Sequence, residues 1–169
     1  MRTRTTKSKV LALCLMFAVA AAAAGARGAV ETQGPAAQCS SVFAVEQYAL
    51  TTTDCPSPVG FCAAGTFKGN HGFRGNSFYS AVSFDAIPSD SLGRLVVPGV
   101  LTYTTDGGVI NVDDVSVFDV ARGTFAGVSR IVSGTGRFAG ATGYIFTAGR
   151  VLPDGVSFSN ELTGEICLP

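Results

Sequence analysis

The chain has 169 residues, 47% of them hydrophobic and 14% charged, with 12 basic against 12 acidic side chains and a single histidine. The basic residues form no stripe, which excludes a protein that tracks nucleic-acid phosphates. One histidine and five cysteines without CxxC spacing leave no four-ligand metal site, so no metal is expected.

Residues 1–26 read as a secretory signal peptide. Arg2, Arg4, Lys7 and Lys9 form the charged start, residues 10–24 are an unbroken apolar run of fifteen, and Ala24-Gly25-Ala26 offers the small residues a peptidase needs. That run falls short of the ~20 residues of a bilayer span, so stable membrane insertion after cleavage is not expected. Removing the leader leaves eight basic and twelve acidic residues, a net charge of −4. Residues 27–38, rich in Gly, Pro, Ala and Gln, read as a flexible lead-in, and residues 39–169 as one folded domain. The expected location is secreted or periplasmic, where Cys39, Cys55, Cys62 and Cys167 pair as disulfides.

From there the pattern is of strands and turns, with no helix. The runs in order are SVFAVEQYALT (41–51), VGFCAAGTF (59–67), NSFYSAVSFDAI (76–87), RLVVPGVLTYTT (94–105), VINVDDVSVFDV (109–120), FAGVSRIV (125–132), GYIFTAGRV (143–151) and VSFSNELTGEI (156–166). Period-two alternation puts Phe78, Val82 and Phe84 on one face of the third run, and Leu95, Val97, Leu101 and Tyr103 on one face of the fourth. It puts Val156, Phe158, Leu162 and Ile166 on one face of the last. Pro98 marks an edge, bulge or bend in the fourth run. DCPSP, KGNHG, IPSDS, TDGG and LPDG punctuate these runs, and His71 in KGNHG reads as a turn residue. Eight strands with short connections predict an all-β fold, a single eight-stranded antiparallel barrel, with a two-sheet sandwich as the alternative.

Four glycines crowd SGTGRFAGATG (133–143). A phosphate loop would have to open a helix, whose N-terminus supplies the amides and the dipole. Here a strand-like YIFTAG follows and the spacing is GxGxxxG, so the stretch predicts a hairpin connection. Gly134 and Gly136 are expected to supply positive φ, and Gly140 and Gly143 to ease bends. No nucleotide or other cofactor is expected.

The run IVSGTGRFAGATGY (131–144) resembles the glycine-rich hairpin of the allene oxide cyclase and dirigent barrel superfamily. The preceding order is similar too: a Tyr-Thr-Thr strand, an Asp-Gly turn, a Val-rich strand with Asp119, then Gly123-Thr124-Phe125. The likeness spans roughly residues 75–167, with Ser133 where a glycine is frequent. It implies an eight-stranded barrel, often trimeric, so that a trimer or dimer is expected, with a hydrophobic small molecule in the lumen. Members of that superfamily cyclise or orient reactive intermediates without cofactors, or have no established chemistry. Gly134, Gly136, Gly143 and Phe138 carry over, in an architectural role.

Polar residues that interrupt an apolar face are the unusual ones, because burial costs free energy unless they are paired or used. Asp114 interrupts Ile110, Val112, Phe118 and Val120; Arg130 lies between Val128 and Val132; Asn160 lies between Phe158 and Leu162; Tyr103 ends its own face. These four are the candidate ligand-binding residues, with a structural Asp114–Arg130 pair as the plainer alternative. Asp113 and Asp114 are neighbours on a strand, so one points in and one out. An open lumen lined by two or more of the four would favour ligand binding, and a packed one an interaction module. The reading favours a non-catalytic binder of a small hydrophobic molecule or surface partner, with a cofactor-free isomerase or cyclase as the alternative.

Barrel closure also predicts the disulfides. The first and last strands of an up-and-down barrel are antiparallel neighbours, so Cys39 should meet Cys167, leaving Cys55 to pair with Cys62 across the first hairpin connection.

Overall fold

Residues 37–169, apart from 89 and 91, are described by a computed structural model. The expected leader, with Cys14, and residues 27–36 of the expected lead-in lie outside the described residues, while Gln38 already belongs to the first strand. The strands are β1 (Gln38–Thr51), β2 (Cys62–Gly69), β3 (Arg74–Ala81), β4 (Asp85–Ala86), β5 (Arg94–Thr105), β6 (Gly108–Asp119), β7 (Thr124–Gly134), β8 (Thr142–Val151) and β9 (Ser157–Leu168).

Neighbours along the chain other than β3 and β4 pair antiparallel, β1 pairs β9, and β3 pairs β5 past the two-residue β4. Eight strands therefore close into an up-and-down barrel, and β4 stands outside the ring on β5. Closure leaves no long sheet edge, which a sandwich would have had to protect. The predicted third strand is broken between β3 and β4. At that break the Val82 N–H donates to the Pro98 carbonyl (2.8 Å). The N–H and C=O of a strand residue point the same way, so the donor that Pro98 lacks faces the break and costs no ladder bond.

Cys39 and Cys167 stand directly opposite each other on β1 and β9 and are disulfide-bonded, with a sequence separation of 128. Cys55 and Cys62 are bonded across the β1–β2 connection, Cα atoms 5.6 Å apart. Among the described residues Cys39, Cys167 and Glu165 are the one grouping with metal-ligand character, and both its sulfurs are used in the disulfide.

Two assigned faces need correction. On β7 the lumen receives Ser129 and Ile131, both buried, while Val128 and Val132 are exposed and Arg130 lies between them on the outside. The reading failed there because the outer face of β7 is the more apolar one: Val128 stands between Val115 of β6 and Phe146 of β8, in a row of outward side chains. On β3, Ser77 and Tyr79 face the lumen, Phe78 does not, and Val82 is exposed beyond the strand. Val120 and Val156 likewise end outside, past the strands whose faces they were assigned to.

The barrel has two unlike ends. At one end lie the β2–β3, β5–β6 and β7–β8 connections and the Cys39–Cys167 bond; at the other lie the β1–β2, β3–β5, β6–β7 and β8–β9 connections. The first end is packed by Phe67, Phe73, Tyr103, Ile110, Ile145, Leu162 and Ile166. Each such side chain contributes about 1.5–3 kcal/mol on burial. SGTGRFAGATG closes that end: residues Gly136–Phe138 make one 3-10 turn, the Arg137 N–H donates to the Gly107 carbonyl (2.8 Å), and buried Phe138 joins the packed cluster. Gly136 has φ 60°, and a Cβ there would strike the Gly107 carbonyl oxygen. Gly134 differs from expectation: its φ is not positive, and what it provides is close approach to the Phe138 carbonyl. Gly140 and Gly143 carry the other positive angles of the loop, 74° and 128°. His71 sits in the β2–β3 turn with φ 49°.

Candidate ligand-binding cavity

Toward the other end the interior opens from a filled core to a cup of about 230 Å³. An engineered cavity of about 150 Å³ holds benzene, so the cup has room for one ring and a short chain. Its wall is aromatic: Tyr48 from β1, Tyr79 from β3, Phe118 and Phe125 from β6 and β7, and Phe158 from β9, with Phe61 and Phe84 from the connections. Tyr48 stacks on Phe158 (centroids 4.9 Å apart), and Phe61 meets Phe158, Tyr79 and Phe84 edge-on. Stacked and edge-to-face contacts hold these rings in place.

The polar lining is contributed by Glu46, Asp114, Asn160, Ser77, Ser116 and Thr147. Glu46 is 2% exposed and stands opposite Asn160 in the β1–β9 register, where Asn160 Nδ2 donates to Glu46 Oε2 at 2.6 Å. Burial pushes the Glu46 carboxyl up to about 7, partly offset by the nearby Ser77 hydroxyl and the Asn160 amide and reinforced by Asp114. Ser77 acts there as a nearby dipole, because Glu46 Oε1 has no hydrogen-bond partner among the described residues. Asn160 Oδ1 also lacks one. Asp114 is 5% exposed and accepts from Ser129 Oγ (2.7 Å) and Ser116 Oγ (2.8 Å). Burial raises its carboxyl too, against the pull of those two hydroxyls. Burial likewise raises the Tyr48 and Tyr79 phenols, which stay protonated at neutral pH and serve as donors rather than bases. No Lys, Arg or His lines the cup among the described residues.

Of the four residues singled out in the sequence, Asp114 and Asn160 line the cup. Tyr103 does not: it is fully buried in the packed half, edge-on to Phe67, and its hydroxyl has no partner among the described residues. Arg130 is outside, its side chain 76% exposed, 3.4 Å from Asp113. The ion pair is thus Arg130 with Asp113, not Asp114, because Asp113 is the outward neighbour and stands opposite Arg130 in register. Glu46 was missed, although it interrupts Val42, Ala44 and Tyr48 on β1 with the same period-two signal that marked Asp114.

Comparison with family models, curated proteins and solved structures finds no match for this chain. Of what the resemblance to the allene oxide cyclase and dirigent superfamily implies, the structure shows the closed eight-stranded antiparallel barrel.

Proposed function

We propose that this is an exported, non-catalytic barrel that holds one small hydrophobic molecule in its lumen. The observation that carries the reading is the asymmetry of the interior: one half is packed solid, while the other is an open cup with a fixed aromatic wall and a few convergent polar groups. Such a cup is the usual character of a small-molecule site. A protein whose interior served stability alone would gain by filling it. Export is supported by the leader pattern of residues 1–26 and by two disulfides, which persist in oxidising compartments.

Mass spectrometry of protein purified without denaturation tests this. An equimolar small molecule should accompany the wild type and be lost from Ala63→Trp, which fills the cup from β2. A wild type that carries nothing and takes up no toluene or naphthalene would contradict the reading.

The alternative is a cofactor-free isomerase, favoured by one observation, the Glu46 carboxyl held near 7 beside the guest. The two readings part on the compound that the wild type releases: offered back to the protein, it emerges unchanged from a binder and partly as a second isomer, resolved by chromatography, from an isomerase.

A further inference from the structure

We infer that the molecule held in the cup is a small aryl- or alkyl-substituted organic cation, its ammonium group drawn to Glu46 and Asp114 and its apolar part against the aromatic wall. This rests on the lumen-binding reading above. Two carboxylates, Glu46 and Asp114, line one cavity with no basic side chain beside them among the described residues. A buried carboxylate without a counter-cation is costly, and partners of opposite charge remove that cost.

The polar groups of the lining bear on the head group. Glu46 Oε1 and Asn160 Oδ1 are both acceptors, both on side chains at most 3% exposed, and both lack a donor among the described residues. An ammonium presents several donors and no acceptor, which suits a lining whose charged groups, Glu46 and Asp114, only accept, while Asn160 Oδ1 lies against Gly149 of β8. An alcohol has one donor, and a carboxylate would set like charge against Glu46 and Asp114. The wall agrees, because it is built of aromatic rings, whose π-systems attract cations.

Besides burial, the groups that bear on the titration of Glu46 are Ser77, Asn160 and Asp114, while Tyr48 and Tyr103 feel its charge in turn; none of them is cationic. A bound cation therefore competes with the proton for the Glu46 carboxylate.

Calorimetry with 2-phenylethylamine, 2-phenylethanol and 3-phenylpropionate, which share a ring and differ in head group, tests the assignment on the folded, oxidised protein. At pH 8 the amine should bind at least about tenfold more tightly than the alcohol, and the carboxylate least of all. Lowering the pH to 6 should weaken the amine about tenfold while leaving the alcohol unchanged, since Glu46 then carries a proton. Glu46→Gln, checked for native circular dichroism, should abolish the amine's advantage and its pH dependence while still binding the alcohol. Asp114→Asn should reduce that advantage as a second, independent variant. An alcohol or carboxylate that matches or exceeds the amine overturns the cation assignment and leaves the lumen reading standing. Failure of all three compounds, and of toluene, overturns both.

Discussion

Asn160 donates to Glu46 across the β1–β9 seam at 2.6 Å, although 114 residues separate them in the chain. The same seam carries the Cys39–Cys167 disulfide toward the packed end. Closing the barrel thus assembles the polar lining of the cup, so folding and site formation are one event.

The pH dependence of stability follows from Glu46. Its carboxyl moves from 4.5 in the unfolded chain to about 7 in the folded protein, so the folded state holds the proton more tightly. Stability without ligand should be greatest below pH 4.5 as far as this group is concerned. It should fall as pH rises through 7, by about 3 kcal/mol in all. Asp114, also raised, adds in the same direction. Urea denaturation at pH 5 and pH 8 measures the difference, and Glu46→Gln should remove most of it.

The two disulfides should differ in weight. In the chain-entropy model the long Cys39–Cys167 loop is worth about 5 kcal/mol and the short Cys55–Cys62 loop about 2.5 kcal/mol. Cys39→Ser with Cys167→Ser should therefore lower the melting temperature more than Cys55→Ser with Cys62→Ser. Differential scanning calorimetry of the two double variants gives the order directly.

Gly136→Val should destabilise the barrel by about 2 kcal/mol or more, from the positive φ and the collision of its Cβ with the Gly107 carbonyl. The hairpin is at the packed end, away from the cup. Variant protein that remains folded at low temperature should therefore bind its ligand as the wild type does. Loss of binding in a folded variant would place the hairpin in the site.

The fold was legible because a half-buried strand imposes period two and because turns need Gly, Pro, Asn or Asp; β5 and β9 show it most plainly. The disulfides followed from closure. What misled was the outer surface: with Val128 and Val132 outward and Ser129 inward, β7 reads inside out. Asp114 and Asn160 stood out because their strands are apolar on the same face. The cup itself could not be read, since its aromatic wall is drawn from five strands and two connections that meet only on closure, and Phe61 and Phe84, which the pattern assigns to strands, lie in the connections.

The most direct test of lumen binding is to map where an apolar ligand touches the protein by NMR, titrating toluene or 2-phenylethylamine and following aromatic and methyl resonances. Shifts should be confined to the open half, at Tyr48, Phe61, Tyr79, Phe125 and Phe158, with Phe138, Ile145 and Ile166 of the packed end unmoved. Shifts centred instead on outward Phe43, Val128 and Phe146 would contradict a lumenal site.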